Sequence, residues 1–169
     1  MVFIGIDPGI EGGIALIGSD IEYQAYKYTS QKLIEVVRAL AEQHLEVQAW
    51  VEQVHSMPAQ GVASTFTFGK GFGQILGILE ALNVPTNLVP AGQWKGAIGV
   101  THDKQTSIRK AQFLFPEVSL LATKRSRKPS DGMAEALLIA EYGRRQFTEA
   151  KYGMSDKKKD KYSDTSKYF

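Results

Sequence analysis

Val2-Phe3-Ile4-Gly5-Ile6-Asp7-Pro8-Gly9 is an apolar run of strand type that halts on a carboxylate and a turn signal. Gly12 to Ile17 and Ile21 to Tyr28 continue as strands, with Gly18-Ser19-Asp20 as the hairpin turn between them. Beyond Thr29-Ser30, the residues Leu33, Ile34, Val37 and Ala41 recur at helical spacing, with Leu40 and Leu45 less regular. Val47 to Val51 reads as a fourth strand ending on Glu52, residues 62–82 as a long helix, and Thr86 to Val89 as a fifth strand. Further helices are expected at 103–115 and from about 131 to 148. Three hairpin-linked strands followed by alternating helix and strand predict an α/β fold, a mixed five-stranded sheet flanked by helices, rather than a bundle or sandwich. One domain is expected over residues 1–150. Residues 151–169, KYGMSDKKKDKYSDTSKYF, are polar and lack apolar periodicity, so they read as a basic, flexible C-terminal tail.

The length of 169 residues suits a single domain with a sizeable core. The absence of cysteine excludes disulfides and thiolate metal sites. There is no long apolar run for a membrane span, and the start lacks the basic and small-residue marks of a signal peptide. A soluble, cytoplasmic protein is therefore expected. Residues 1–92 hold 4 Lys/Arg against 9 Asp/Glu, whereas residues 93–131 hold 8 against 3. An acidic half beside a basic stretch points to a polyanionic partner, or to a merely dipolar surface.

Three elements carry acids where chemistry could use them. Asp7 and Glu52 each end an apolar strand, and the carboxyl ends of strands are where α/β sheets place ligands. Plainer readings are a turn aspartate and an exposed strand-end glutamate. In Lys128-Pro129-Ser130-Asp131-Gly132-Met133-Ala134-Glu135, a helix start puts Asp131 and Glu135 four apart on one helical face. The plainer alternative makes Asp131 the N-cap and Glu135 a first-turn acid favoured by the helix dipole. Four carboxylates with no cysteine and only 3 histidines suit Mg²⁺ or Mn²⁺ rather than zinc. Two such cations a few ångströms apart would suit phosphodiester hydrolysis.

Gly5-Ile6-Asp7-Pro8-Gly9, Val51-Glu52-Gln53-Val54 and the helix Asp131…Glu135-Ala136-Leu137-Leu138-Ile139-Ala140 together resemble RuvC-type Holliday-junction resolvases. Gln93-Trp94-Lys95 through Gly99 to Lys104 resembles that family's two-lysine segment, and the likeness runs from about residue 2 to 147. The resemblance implies a ribonuclease-H-like fold, a homodimer, and Mg²⁺-dependent, paired, symmetric incision of a four-way DNA junction. It implies that Asp7, Glu52, Asp131 and Glu135 bind two Mg²⁺ ions per site, for which Mn²⁺ can substitute. It also places Lys95 and Lys104 near the scissile phosphate. Two positions depart from the family pattern: the last acidic pair is four apart rather than three, and His55 stands where an aromatic often stacks on bases. The identity of the fourth ligand is thereby left open. The short length and these departures are nearer to phage-encoded members, for which the bacterial host cytoplasm is the expected location.

Other features fit the same expectation, each with a simpler alternative. Gly69, Gly73 and Gly77 line one helical face, which suits a dimer contact in this family or close packing on the chain's own sheet. Phe66, Phe68 and Phe72 flank it and are expected in the core. Lys124, Arg125, Arg127 and Lys128 form a basic loop before Asp131, suited to holding DNA phosphates or simply solvated. Trp94 reads chiefly as a helix anchor. Competing functions are a ribonuclease-H-like nuclease acting on RNA or broader branched DNA, and a junction-binding module that does not cut. An actin-like or sugar-kinase fold needs two such subdomains and far more chain.

Overall fold

The computed structural model describes residues 1–54 and 61–159. The strands are β1 (Val2–Asp7), β2 (Gly13–Gly18), β3 (Gln24–Lys27), β4 (Val47–Gln53) and β5 (Thr86–Pro90). The helices are α1 (Ser30–Glu42), α2 (Val62–Ala81), α3 (Ala91–Ile98), α4 (Lys104–Leu114) and α5 (Asp131–Lys159). They form one five-stranded sheet of order β3-β2-β1-β4-β5, in which β1 pairs antiparallel with β2 and parallel with β4. This is the mixed, helix-flanked sheet that the sequence predicts. No helix among the described residues is long and apolar enough to cross a membrane.

Central β1 is buried on both faces, which is why it reads as an unbroken apolar run. Val2, Ile4 and Ile6 face a core shared with α1 and α2, including Leu33, Val37, Ile75 and Leu79. Phe3, on the other face, joins the core built with α3, α4 and α5, including Trp94, Ile108 and Leu137. Helix α1 buries Leu33, Val36, Val37 and Leu40. Ala41, expected on that stripe, is exposed. Thr29 caps α1 by accepting the Lys32 N–H at 3.0 Å.

Helix α5 lies directly on the sheet, buried from Met133 through Gly143. Its backbone approaches so closely that a Cβ on Gly5 would overlap the Ala136 carbonyl and the Ala140 amide. At its start Gly132 makes a parallel bridge with Gly12, and a Cβ there would overlap the Glu11 carbonyl. These contacts pin the first turn of α5 beside the end of β1. Helix α5 runs on to Lys159, past the end near 148 that the sequence predicts for it.

Two elements differ from the sequence reading. Strand β3 spans only Gln24–Lys27 rather than Ile21 to Tyr28. Helix α3 is implied in the sequence only by the reading of Trp94 as a helix anchor, without bounds: it follows Pro90, ends on Gly99 in the left-handed region at φ 77°, and buries Trp94 and Ile98.

Candidate active site

Ile6 pairs with Val51 in the parallel β1–β4 ladder, so the next residues, Asp7 and Glu52, end neighbouring strands at the same edge of the sheet. Asp7 Oδ1 accepts the Gly9 N–H at 3.0 Å, which closes the Asp-Pro-Gly turn and fixes the carboxylate. Burial, together with the charges of Glu135, Glu52 and Asp131, pushes the Asp7 carboxyl up to about 7, although the Gly9 N–H works the other way. Glu52 is raised as well, by burial first and by Glu135, against the opposing Trp94 hydrogen bond and the Lys95 and His102 charges. The indole Nε1–H of Trp94 donates to Glu52 Oε2 at 2.7 Å.

The second half of the site is a pair of facing helix turns. Ser130 Oγ accepts the Met133 N–H at 3.3 Å and caps α5, which leaves the Asp131 carboxylate available for side-chain partners. Lys104, the first residue of α4, donates to Asp131 Oδ2. Three residues on, Ser107 Oγ donates to Glu135 Oε1 at 3.1 Å. Positions 104 and 107 of α4 thus face positions 131 and 135 of α5, each pair on one helical face. Lys95 Nζ also reaches Glu135 Oε1, at 2.5 Å. Burial pushes Asp131 up, but the Lys104 hydrogen bond and charge and the amides of Asp131 and Gly132 outweigh it and hold the carboxyl below its usual range. Lys104 is raised in turn, chiefly by the Asp131 hydrogen bond, with Glu135 and Asp7 adding to it.

Asp7, Asp131 and Lys104 open onto a cleft of about 620 Å³. Its far wall is the first part of α2, through Ala63, Thr67 and Phe68. Glu52, Lys95 and Glu135 do not line this cleft; they are held by Trp94 and Ser107 beside it. Among the described residues no three acidic or histidine side chains close on one point, because Asp131 is turned onto Lys104 and Glu135 onto Lys95 and Ser107. The donor set nonetheless fits a hard divalent cation. It is all oxygen, and the charges of Glu135, Glu52 and Asp131 add to the burial that raises Asp7.

A scan against protein-family models and a search of curated proteins both find no match. Solved structures do match. A structure of Thermus thermophilus RuvC in complex with a Holliday junction substrate superposes with a TM-score of 0.55 at 21% identity, over 88% of this chain and 98% of that one. A second Thermus thermophilus RuvC structure superposes with a TM-score of 0.54, at 21% identity and the same coverage. The chain has the RuvC fold.

Within this RuvC fold, the six residues singled out for chemistry gather at one edge of the sheet and the helix turns beside it. The basic loop residues Lys124, Arg125, Arg127 and Lys128 are exposed and make no ion pair among the described residues. His55 lies outside the described residues. Gly69, Gly73 and Gly77 do not pack on their own sheet: a Cβ on any of them would meet nothing within 4 Å. Phe66, expected in the core, is 73% exposed. Two contributors went unrecognised in the sequence. Ser107 looks like any helical serine, and its only signal is its place three residues after Lys104. Trp94, read as an anchor, is indeed buried, but its N–H also serves Glu52.

Proposed function

We propose that this chain is a Mg²⁺-dependent endonuclease that resolves four-way DNA junctions by paired, symmetric incision of opposing strands, acting as a homodimer. The observation that carries the reading is that Asp7 and Glu52 lie side by side where neighbouring strands end, with Lys104 on Asp131 and Lys95 on Glu135 at the turn of α5 beside them. An all-oxygen set of acids suits hard divalent cations and disfavours DNA binding without them. The fold likeness adds a substrate, since one neighbour is a RuvC in complex with a Holliday junction.

In this reading Asp7, Glu52, Asp131 and Glu135 hold two Mg²⁺ ions, or Mn²⁺ in their place. When bound, such ions activate a water and stabilise the departing oxygen of the phosphodiester. Hydrolysis breaks the bond to the 3′ oxygen and leaves a 5′-phosphate and a 3′-hydroxyl. Lys104, largely exposed at the cleft, neutralises the phosphate as its charge grows. Lys95 does the same from the buried side, where it is already aligned on Glu135. The exposed loop of Lys124, Arg125, Arg127 and Lys128 holds flanking phosphates, and His55 is a DNA-contacting residue that stacks on bases. The open glycine face of α2, Gly69, Gly73 and Gly77, is the dimer surface. The site of action is the cytoplasm, that of the bacterial host if the chain is phage-encoded.

The test is a denaturing gel of end-labelled four-way junction and of duplex with the same sequence, in Mg²⁺ and in EDTA. Paired nicks on opposing arms, Mg²⁺-dependent and absent from duplex, are expected. Unpaired or asymmetric nicks would indicate a broader branched-DNA nuclease. A gel shift on the junction with no cleavage would make the chain a binding module.

A further inference from the structure

We propose that Trp94 is the positioning residue of this site, holding Glu52 through its indole N–H and Lys95 through its ring face. The inference deepens the nuclease reading and rests on it. Trp94 is completely buried, yet it is bonded to charged groups on two sides. Nε1–H donates to Glu52 Oε2 at 2.7 Å, and Lys95 Nζ stands 4.7 Å from the ring centroid. Lys95 reaches on to Glu135 at 2.5 Å, so one rigid side chain links an acid of β4 to an acid of α5.

The chemistry of an indole suits this task. It donates a single hydrogen bond, accepts none and does not ionise, so it can fix a carboxylate without competing for a cation. Bonding only Oε2 leaves Oε1 of Glu52 for a metal. The ring face attracts an ammonium group and steers the flexible lysine stem toward Glu135. Helix α3 aims the side chain: Pro90 starts it at the end of β5, and Gly99 stops it after a little more than two turns. Groups that orient a metal ligand typically change metal affinity by about 10–100-fold when lost. A purely structural anchor would instead change folding stability and leave Mg²⁺ affinity alone.

The test replaces Trp94 by β-(3-benzothienyl)alanine, which keeps the ring shape and loses the N–H, in a Trp50→Phe background so that only position 94 is exchanged. Trp94→Phe is the second variant. In the Trp50→Phe parent, the Trp94 indole proton resonance is expected to move on Glu52→Gln and again on Mg²⁺ addition. Removal of the N–H is expected to weaken Mg²⁺ binding by calorimetry roughly tenfold. It should lower kcat on the junction by a similar factor while junction affinity in EDTA changes less than twofold. A parent that neither binds Mg²⁺ nor cuts overturns the nuclease reading, and this inference with it. A parent that does both, with folded variants matching it in Mg²⁺ affinity and kcat, overturns the role of Trp94 alone.

Discussion

Ser107 donates its hydroxyl hydrogen to Glu135 Oε1 across 3.1 Å, although the serine is shut off from solvent and the glutamate nearly so. The same oxygen receives Lys95 at 2.5 Å, so both partners hold one side of the carboxylate. Ser107→Ala leaves a buried glutamate with one donor fewer. Urea unfolding is expected to register a loss of about 1–3 kcal/mol, and cleavage should slow several-fold. An unchanged midpoint would mean that the bond contributes nothing in solution.

Asp7 gives the stability a pH dependence of defined sign. Its carboxyl sits at about 7 in the fold against 3.8 ordinarily, so the native state binds this proton more tightly than the unfolded chain does. The resulting contribution is complete below about pH 4 and lost as pH rises through 7. Asp7→Asn should therefore match the wild type near pH 3.5 and exceed it at pH 8, by at least about 1 kcal/mol, in metal-free buffer. The same variant should be inactive at both. Thermal unfolding across this range checks the sign, and a wild type that gains stability toward pH 8 relative to Asp7→Asn would contradict it.

Lys104 and Glu52 separate charge at the phosphate from metal binding. Lys104 is 68% exposed, so Lys104→Ala should alter stability by less than about 1 kcal/mol. At saturating protein it should nonetheless slow junction cleavage at least about tenfold. Glu52→Gln should abolish cutting and preserve the gel shift on the junction. Single-turnover rates beside binding isotherms distinguish the two; Mg²⁺-dependent nicking near the wild-type rate would remove Glu52 from the site.

Glycines of two kinds should respond in opposite directions. A Cβ at Gly5 meets the backbone of α5, so Gly5→Ala should destabilise by several kcal/mol or prevent folding. A Cβ at Gly73 meets nothing, so Gly73→Ala should strengthen the helix by about 0.5–1 kcal/mol. If this face joins two copies, Gly73→Glu should convert dimer to monomer in light scattering without unfolding the chain. A Gly73→Glu protein with unaltered mass would move the dimer contact elsewhere.

Much of this arrangement is legible in short stretches of sequence, because short stretches carry its causes. Val2 to Ile6 is apolar throughout since a central strand is buried on both faces, and Asp-Pro-Gly ends it because proline and glycine favour a turn. Glu52 at the end of β4, the Pro-Ser start of α5 and the four-residue spacing of Asp131 and Glu135 are local features of the same kind. Local pattern was less reliable where a segment is short or only partly covered. It overextends β3, and it gives no bounds for α3, whose eight residues bury only Trp94 and Ile98. Which side chains meet was decided by tertiary packing. Asp131 stands beside the end of β1 because Gly5, Gly12 and Gly132 let two backbones touch. Glu52 meets Trp94 where α3 lies beside β4, and Glu135 meets Lys95 and Ser107 where α3 and α4 lie beside α5. Residues some 28 to 42 positions apart leave no periodic trace of their contact, so the sequence by itself determined the acids and the strands and helix that carry them, and the three-dimensional packing chose their partners.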